Sequence, residues 1–317
     1  MELSLITHAH ADHARPVATR YIASKASVPL LRYRLGQNID ISGVDWGETL
    51  SLGDTRVSFH PAGHVLGSAQ IRVERGGEVW VFTGDYKPDP DPSCEPFELV
   101  TCDTFITEAT FALPVYRWPD GETVVAEIYD WWQQMKRSGR PAVIFAYSLG
   151  KAQRVLAELL AHTDEAVHLH GAVEPMTRLY REAGIKMVPT EVIDPKGPRQ
   201  DYAGKLVLAP PGASGSKWMR RFPGASTGFC SGWMRVRGNR RRDGYDRGFV
   251  LSDHADWQGL LNTIEATGAQ RVLTTHGQSA TLVRYLREER GINAAELRTR
   301  YTDDSAEVVA SDEQRSS

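Results

Sequence analysis

The stretch Thr7-His8-Ala9-His10-Ala11-Asp12-His13 sets three of the chain's ten histidines and a carboxylate within six residues. It follows an apolar, strand-like run, Leu3-Ser4-Leu5-Ile6, and precedes Val17, Ala18, Tyr21 and Ile22 at helical spacing. Packing asks for no such cluster. Imidazoles on alternate residues at a strand end, then an acid and another imidazole, bring several Lewis bases to one small volume. Imidazole and carboxylate are the donors that zinc and other first-row metals take where thiolates are absent. The plainer alternative is a polar loop with scattered histidines, and the rest of the chain decides between them.

His8-x-His10-x-Asp12-His13 resembles the signature of metallo-β-lactamase-fold hydrolases. That resemblance implies a later histidine, then an aspartate at a strand end, then a final histidine. The chain has His64 in Pro61-Ala62-Gly63-His64-Val65-Leu66-Gly67-Ser68, Asp85 in Phe82-Thr83-Gly84-Asp85-Tyr86, and His276 in Leu273-Thr274-Thr275-His276-Gly277. Seven ligand groups suit two divalent ions, expected to be Zn2+ with Mn2+ as the alternative. By the family pattern, His8, His10 and His64 hold the first ion, Asp12, His13 and His276 the second, and Asp85 bridges them. Two ions about 3.5–4 Å apart lower the pKa of a bridging water and hold a phosphate for in-line attack. The nucleophile so implied is a metal-bridging hydroxide, and Asp12 counts among the catalytic residues as well as the ligands.

The elements that must position these groups fall into two textures. Strand-like segments at 56–59, 70–73 and 79–83 are separated by turns such as Gly76-Gly77, and 105–107 runs into Glu108-Ala109-Thr110. Strands with few helices between them fit one sheet layer of an α/β sandwich. From about Leu113 the pattern changes. Asp120-Gly121-Glu122 opens a helix carrying Val124, Ile128, Trp131, Trp132 and Met135. A buried strand at 142–147, a helix through Val155, Leu156 and Leu159, a strand at 167–170, a helix at 176–183 and a strand at 206–209 alternate as in a parallel α/β unit. The ligand series stops at Asp85 and resumes at His276, so this block reads as inserted. The expected layout is a first part over 1–112, an insertion over 113–247, and a second part over 248–301 with a strand at 271–275 and a helix at 280–288. An acidic, Ser-rich tail over 302–317 is expected to be disordered. Relatives of the family carry further strands before the first histidine motif, whereas here it begins at residue eight.

At 317 residues with 41% apolar content, the chain can bury a large core. A net charge of −3 gives no global attraction to nucleic acid, so such binding needs a local patch. Cys94, Cys102 and Cys230 form no C-x-x-C pair and read as reduced thiols of a cytoplasmic protein. No leader peptide is expected, with acidic Glu2 and a histidine-rich loop where one would stand, and no apolar run approaches a membrane span.

A local patch is present. Residues 214–247 carry Lys217, Arg220, Arg221, Arg235, Arg237, Arg240, Arg241, Arg242 and Arg247 against Asp243 and Asp246, with Trp218, Phe222, Phe229, Trp233 and Tyr245 interleaved. Cations for phosphate and aromatic faces for unstacked bases compose a nucleic-acid track; the alternative is a solvated basic loop. Ser148-Leu149-Gly150-Lys151 ends a strand and opens a helix, and reads equally as a phosphate cradle or a simple turn. His168 and His170 read as structural or surface residues, and His60 and His162 have no identifiable partner.

Three further groups resemble the β-CASP branch, the nucleic-acid hydrolases of this superfamily: Glu108 in Thr107-Glu108-Ala109-Thr110, His254 in Ser252-Asp253-His254-Ala255-Asp256, and His276. More narrowly, Asp85-Tyr86-Lys87-Pro88-Asp89-Pro90, Tyr116-Arg117-Trp118, Ala146-Tyr147-Ser148-Leu149-Gly150-Lys151-Ala152-Gln153 and Ser231-Gly232-Trp233-Met234 resemble the bacterial DNA-ligase-associated exonucleases. The resemblance implies an α/β fold, a metallo-β-lactamase αββα sandwich with an inserted α/β β-CASP domain. It implies that His254 is the general acid and that Glu108 orients it. Lys151, Ser231, Trp233, Arg235, Arg237 and Ser252 are the expected nucleic-acid contacts. The resulting expectation is a two-metal DNA exonuclease of DNA repair, acting on single-stranded DNA or DNA ends. The family's gene neighbourhood implies an ATP-dependent DNA ligase and a helicase as partners. A β-CASP ribonuclease is the alternative, favoured by a histidine at position 276 and disfavoured by the overall similarity. A silent binding scaffold would have lost ligands, and a small-molecule thioesterase or lactamase would have no use for the insertion.

Overall fold

The computed structural model describes residues 1–198, 200–236 and 244–297. Arg237, Arg240, Arg241, Arg242 and the expected tail lie outside the described residues. The chain forms two compact units, one of Met1–Arg117 with the described residues from Asp253 on, the other of Trp118–Ser252. These divisions fall a few residues after 112 and 247, for a local reason. Tyr116 stays with the first unit because its carbonyl accepts from Trp257 N and its ring packs edge-on to Phe111 at 4.9 Å. Ser252 stays with the second because its carbonyl accepts from Arg154 Nη1 at 2.7 Å.

The first unit holds two sheets. β1 (Leu3–Leu5), β2 (Arg20–Ser24) and β3 (Ile41–Val44) pair in parallel, with α1 (Val28–Leu35) between β2 and β3 in the chain. The larger sheet has seven strands among the described residues, in the order β16-β15-β8-β7-β6-β5-β4. These are β4 (Leu50–Leu52), β5 (Thr55–Pro61), β6 (Ala69–Arg75), β7 (Glu78–Phe82), β8 (Thr104–Glu108), β15 (Arg271–Thr275) and β16 (Asn293–Glu296). Alternation along β5 explains its two faces. Val57 and Phe59 join Ile22, Val44 and Ile71 in an apolar core that also takes in Leu3 and Leu5 of β1, so this layer lies between the sheets. On the other face, Val81, Phe105 and Val272 pack with Leu260, Leu261 and Ile264 of α5 (Trp257–Ala266) and Leu282 and Leu286 of α6 (Ser279–Glu288). The unit is thus a mixed α/β structure with two sheets and helices packed on the outer face of the larger one.

The helical spacing read at Val17, Ala18, Tyr21 and Ile22 is overturned: Arg20–Ser24 is a strand. Val17 is 39% exposed and outside the core, while Tyr21, Ile22 and Ala23 are buried in succession. A central parallel strand is covered on both faces and shows a continuous apolar run rather than a period, which a short window mistakes for a helix face.

The second unit is a wholly parallel sheet among the described residues, in the order β11-β10-β12-β9-β13-β14. Its strands are β9 (Ala142–Phe145), β10 (Val167–Leu169), β11 (Thr190–Val192), β12 (Leu206–Ala209), β13 (Ser226–Cys230) and β14 (Arg247–Phe249). Asp120 caps α2 (Gly121–Arg137) by accepting from Glu122 N and Thr123 N. That helix buries Val124, Ile128, Trp131, Trp132 and Met135, and Trp132 Nε1 donates to the Gly204 carbonyl. α3 (Lys151–Glu158) and α4 (Glu174–Glu182) complete the strand–helix alternation.

Some loops of the first unit approach one another closely. Gly67 has φ +71°, and a Cβ there would lie 2.4 Å from Ser27 N, whereas Gly76, at φ +61°, has nothing within 4 Å. Gly76→Ala is therefore expected to cost only the left-handed penalty of about 1–2 kcal/mol. Gly67→Ala adds a backbone clash beside the Ser24 Oγ bond to the Gly67 carbonyl, so its melting temperature should fall further. Equal melting shifts for the two variants would show that the Ser27 contact relaxes freely.

Candidate metal centre

The ligand loops all leave strand ends of the first unit. β1 hands over to Thr7 and His8, and a tight turn brings Ala14 N to the His10 carbonyl at 2.8 Å. His64 follows β5, with its backbone held because Ser68 Oγ accepts from His64 N and Val65 N. Asp85 follows β7, Glu108 ends β8 and His276 follows β15. His276 has φ 59°, the one positive value at a non-glycine among the described residues.

These turns gather the expected ligands. His8, His10, His64 and Asp85 each direct one ligand atom into a common volume, all within 4.8 Å of one another. Asp12, His13 and Asp85 form a second such group, so Asp85 is shared. Its Oδ2 lies 3.5 Å from His8 Nε2, 3.6 Å from His13 Nε2 and 3.7 Å from His64 Nε2. Those separations are too long for direct hydrogen bonds. They match neighbouring ligands of one ion, since donors at about 2.0–2.1 Å in tetrahedral array stand roughly 3.3 Å apart. His276 is set at the rim: it is exposed, its ring centroid is 5.5 Å from that of His13, and it joins neither group at the 4.8 Å separation.

The unsatisfied atoms test the fit. His8 Nε2 and His13 Nε2 are buried without a hydrogen-bond partner. Leaving such atoms unmatched is costly unless something binds them. His64 Nδ1 donates to the Asp253 carbonyl at 2.7 Å, so its Nε2 carries the lone pair, which faces His10 Nδ1 at 3.0 Å. Burial, reinforced by neighbouring imidazoles, holds His8 and His64 well below the usual histidine range, and burial lowers His13 as well. Burial and the Glu108 carboxylate push Asp85 up to about 8. A cluster of neutral imidazoles around a carboxylate that resists ionisation lacks one thing, positive charge. A divalent cation fits these donors.

Beside this cluster, Glu108 is buried and accepts from Tyr86 N at 2.8 Å and from His254 Nδ1 at 2.9 and 3.1 Å. Burial disfavours the His254 imidazolium, but the Glu108 charge and hydrogen bond, with Asp85 and Asp253, raise it to about 10. The His254 ring lies 4.7 Å from that of His64. Asp253, whose residue type marks no role by itself, fixes His64 through its carbonyl, and its Oδ1 is 4.0 Å from His254 Nε2. A backbone carbonyl leaves no signature in residue type.

No model of a known protein family matches the chain. A protein named probable DNA ligase, from Opitutus terrae, is 36% identical over 294 residues, covering 92% of this chain and 28% of that protein. An endoribonuclease ysh1 from Aspergillus fumigatus is 26% identical over 220 residues, covering 57% of this chain and 24% of its own. An RNase aCSPSF2 from Saccharolobus solfataricus is 26% identical over 185 residues, covering 49% and 37%. These likenesses support a metallo-β-lactamase-fold β-CASP nuclease family for the chain. It spans between 24% and 37% of the length of these three family relatives. A crystal structure of a protein of unknown function from Enterococcus faecalis shares the fold, with a TM-score of 0.63 over 95% of this chain and 80% of that one at 13% identity.

The expected nucleic-acid contacts of the second unit are placed unevenly. Trp233 and Arg235 are exposed, on a single helical turn after β13. Ser231 is buried and accepts from Trp233 N, Lys151 is buried with Nζ 4.7 Å from the Tyr147 ring centroid, and Ser252 is buried. The aromatic half of the track is corrected. Phe222 and Phe229 are buried, Trp218 packs on Phe222 at 4.7 Å, and Tyr245 stacks on Phe229 at 5.0 Å, all in the core of the second unit. Two strands, β13 and β14, run through what reads as a solvent-facing track. His60, without a partner in the sequence reading, lies between Ser58 Oγ and Glu98 Oε1, each at 2.9 Å. His162 stacks on Tyr129, His168 lies against Tyr202, and His170 packs on Trp218.

The gathered donors predict metal uptake. Reconstituted protein dialysed against chelated buffer should retain close to two divalent ions per chain by elemental analysis, and Asp85→Asn should lower the occupancy of both. A wild-type stoichiometry that never exceeds one would remove the shared role of Asp85.

Proposed function

We propose that the chain is a two-metal phosphodiesterase of the αββα metallo-β-lactamase architecture with a β-CASP insertion, a DNA exonuclease acting on single-stranded DNA or DNA ends in repair. The observation that carries this reading is the pair of donor groups sharing Asp85, with the Glu108–His254 pair beside them. His8, His10 and His64 would hold one ion, Asp12 and His13 the second with His276 at its rim, and Asp85 both. Zn2+ suits this all-nitrogen-and-oxygen donor set, and Mn2+ is compatible with it. When bound, such ions lower the pKa of water toward neutrality and neutralise charge on a phosphate.

The chain's own groups do the rest. Glu108 commits the His254 Nδ1 proton to itself, so Nε2 is the atom left to give a proton to a leaving alkoxide. Because Glu108 favours the charged imidazole, His254 starts protonated, as a general acid must. Partial burial works against ionisation of Asp12, but His13 and His10 outweigh it and keep the carboxylate low. Asp12 is thereby fit to orient an attacking water. Exposed Trp233 and Arg235 would stack on a base and meet a phosphate, with Arg237 beyond the described residues continuing the same patch. Lys151, Ser231 and Ser252 would act from buried positions, as supports rather than surface contacts. The likeness to a protein named DNA ligase supports a ligase as partner, and a helicase partner is proposed from the family resemblance alone. Cys94, Cys102 and Cys230, none of them in a disulfide, suit a reducing, cytoplasmic setting. Among the described residues, no helix is long and apolar enough to cross a membrane.

A second reading, a β-CASP ribonuclease, is favoured by the ribonuclease names of several relatives. Matched single-stranded DNA and RNA, labelled at either end and offered with zinc or manganese, separate the two readings and give polarity. Preferred release of mononucleotides from DNA supports the first; internal cleavage confined to RNA overturns it.

The acid role has its own test. His254→Ala should leave metal content and substrate affinity near wild type while lowering turnover on the order of 10²–10⁴-fold. The defect should shrink on a nitrophenyl phosphodiester, whose leaving group needs no proton. An equal defect on both substrates, or loss of metal, would rule the role out.

A further inference from the structure

We propose that the Thr7 hydroxyl is the positioning group common to both halves of the metal centre, holding His8 and His13 by Nδ1 so that each presents Nε2 to the cluster. Thr7 Oγ1 lies 3.2 Å from His8 Nδ1 and 3.2 Å from His13 Nδ1. The two rings sit side by side, with centroids 4.1 Å apart and planes 37° from parallel, which lets one oxygen reach both. The opposite atoms of the same rings, His8 Nε2 and His13 Nε2, are buried and have no hydrogen-bond partner. They flank Asp85 Oδ2 at 3.5 and 3.6 Å.

The chemistry follows from what a hydroxyl can accept. Its oxygen has two acceptor lone pairs, one for each ring N–H. Accepting both fixes each imidazole with its hydrogen on Nδ1 and its lone pair on Nε2, the form needed by a ligand that binds through Nε2. His64 reaches the same form by another route, donating Nδ1–H to the Asp253 carbonyl. Thr7 thus does for two ligands what that carbonyl does for one.

The side chain is itself held in place. The Thr7 carbonyl accepts from Ala69 N at 2.8 Å. At Gly84, next to Asp85, an added Cβ would fall 2.7 Å from Thr7 Cβ and 2.8 Å from Oγ1. The Asp85 loop therefore closes directly on Thr7, so the hydroxyl and the shared carboxylate keep a fixed relation. This inference rests on the two-ion reading, in which His8 and His13 serve different ions. One hydroxyl then sets the affinity of both.

The experiment compares wild type, Thr7→Val and Thr7→Ser without reference to activity. Ring-nitrogen chemical shifts of His8 and His13 in the metal-free proteins report which nitrogen carries the hydrogen, and competition against a chromophoric zinc chelator reports the affinity of each site. The expected result is Nδ1–H at both rings in wild type and Thr7→Ser, with that preference lost in Thr7→Val. Zinc affinity at both sites should fall about 10–100-fold in Thr7→Val and return in Thr7→Ser. Unchanged tautomers and affinities in Thr7→Val overturn the proposal, as does weakening at one site alone or a Thr7→Ser protein as weak as Thr7→Val. Should wild type take up only one ion, the two-ion reading fails, while the ring-nitrogen shifts still decide the role of Thr7.

Discussion

A carboxylate among buried imidazoles is the constraint on which the first unit depends. Asp85 stands within 3.7 Å of three imidazole nitrogens and is pushed up to about 8 by burial and by the nearby Glu108. The histidines are held low by the same burial. Left to themselves, these groups would stay neutral and unmatched, an arrangement that costs folding free energy. A divalent cation reverses the balance for all of them together. The fold accordingly spends several strand ends, those of β1, β5 and β7, on bringing these donors to one place.

The neighbouring pair follows the opposite logic. Glu108 is as buried as Asp85, but it accepts from Tyr86 N and His254 Nδ1, and these keep it ionised. The two acids differ in partners rather than in depth. One waits for a cation, and the other has a permanent one in His254. Environments that push like groups apart are how one scaffold assigns different chemical roles to identical side chains.

In the second unit, the same residue types serve packing. Phe222, Phe229 and Tyr245, interleaved with arginines in the chain, lie with Phe145 and Val207 against the parallel sheet. Their charged neighbours Lys217, Arg220 and Arg235 are exposed. Alternating cations and aromatics is the pattern of a strand or loop with one dry and one wet face, as well as of a nucleic-acid track. Composition alone does not distinguish them, because both place charge in water and rings against a flat surface. Trp233, 37% exposed, is the aromatic in that segment that turns outward.

The spacing His8-x-His10-x-Asp12-His13 marked four donors by itself, since short-range chain geometry forces them close; His64, Asp85 and His276 were reached only through the family resemblance that this motif carries. The helical period of Gly121–Arg137 and the short apolar runs at Leu206–Ala209 and Arg271–Thr275 were likewise legible from local sequence. What depends on long-range pairing was not. The strand at Arg20–Ser24 looked helical because both its faces are covered, and Ser226–Cys230 was hidden in a basic, aromatic segment. The groups that set ligand protonation, the Asp253 carbonyl on His64 and the Thr7 hydroxyl between two rings, are ordinary atoms that acquire a role only by position. The chain's residue types specify which atoms can bind; the tertiary structure decides which nitrogen faces the site, because that depends on what stands behind each ring.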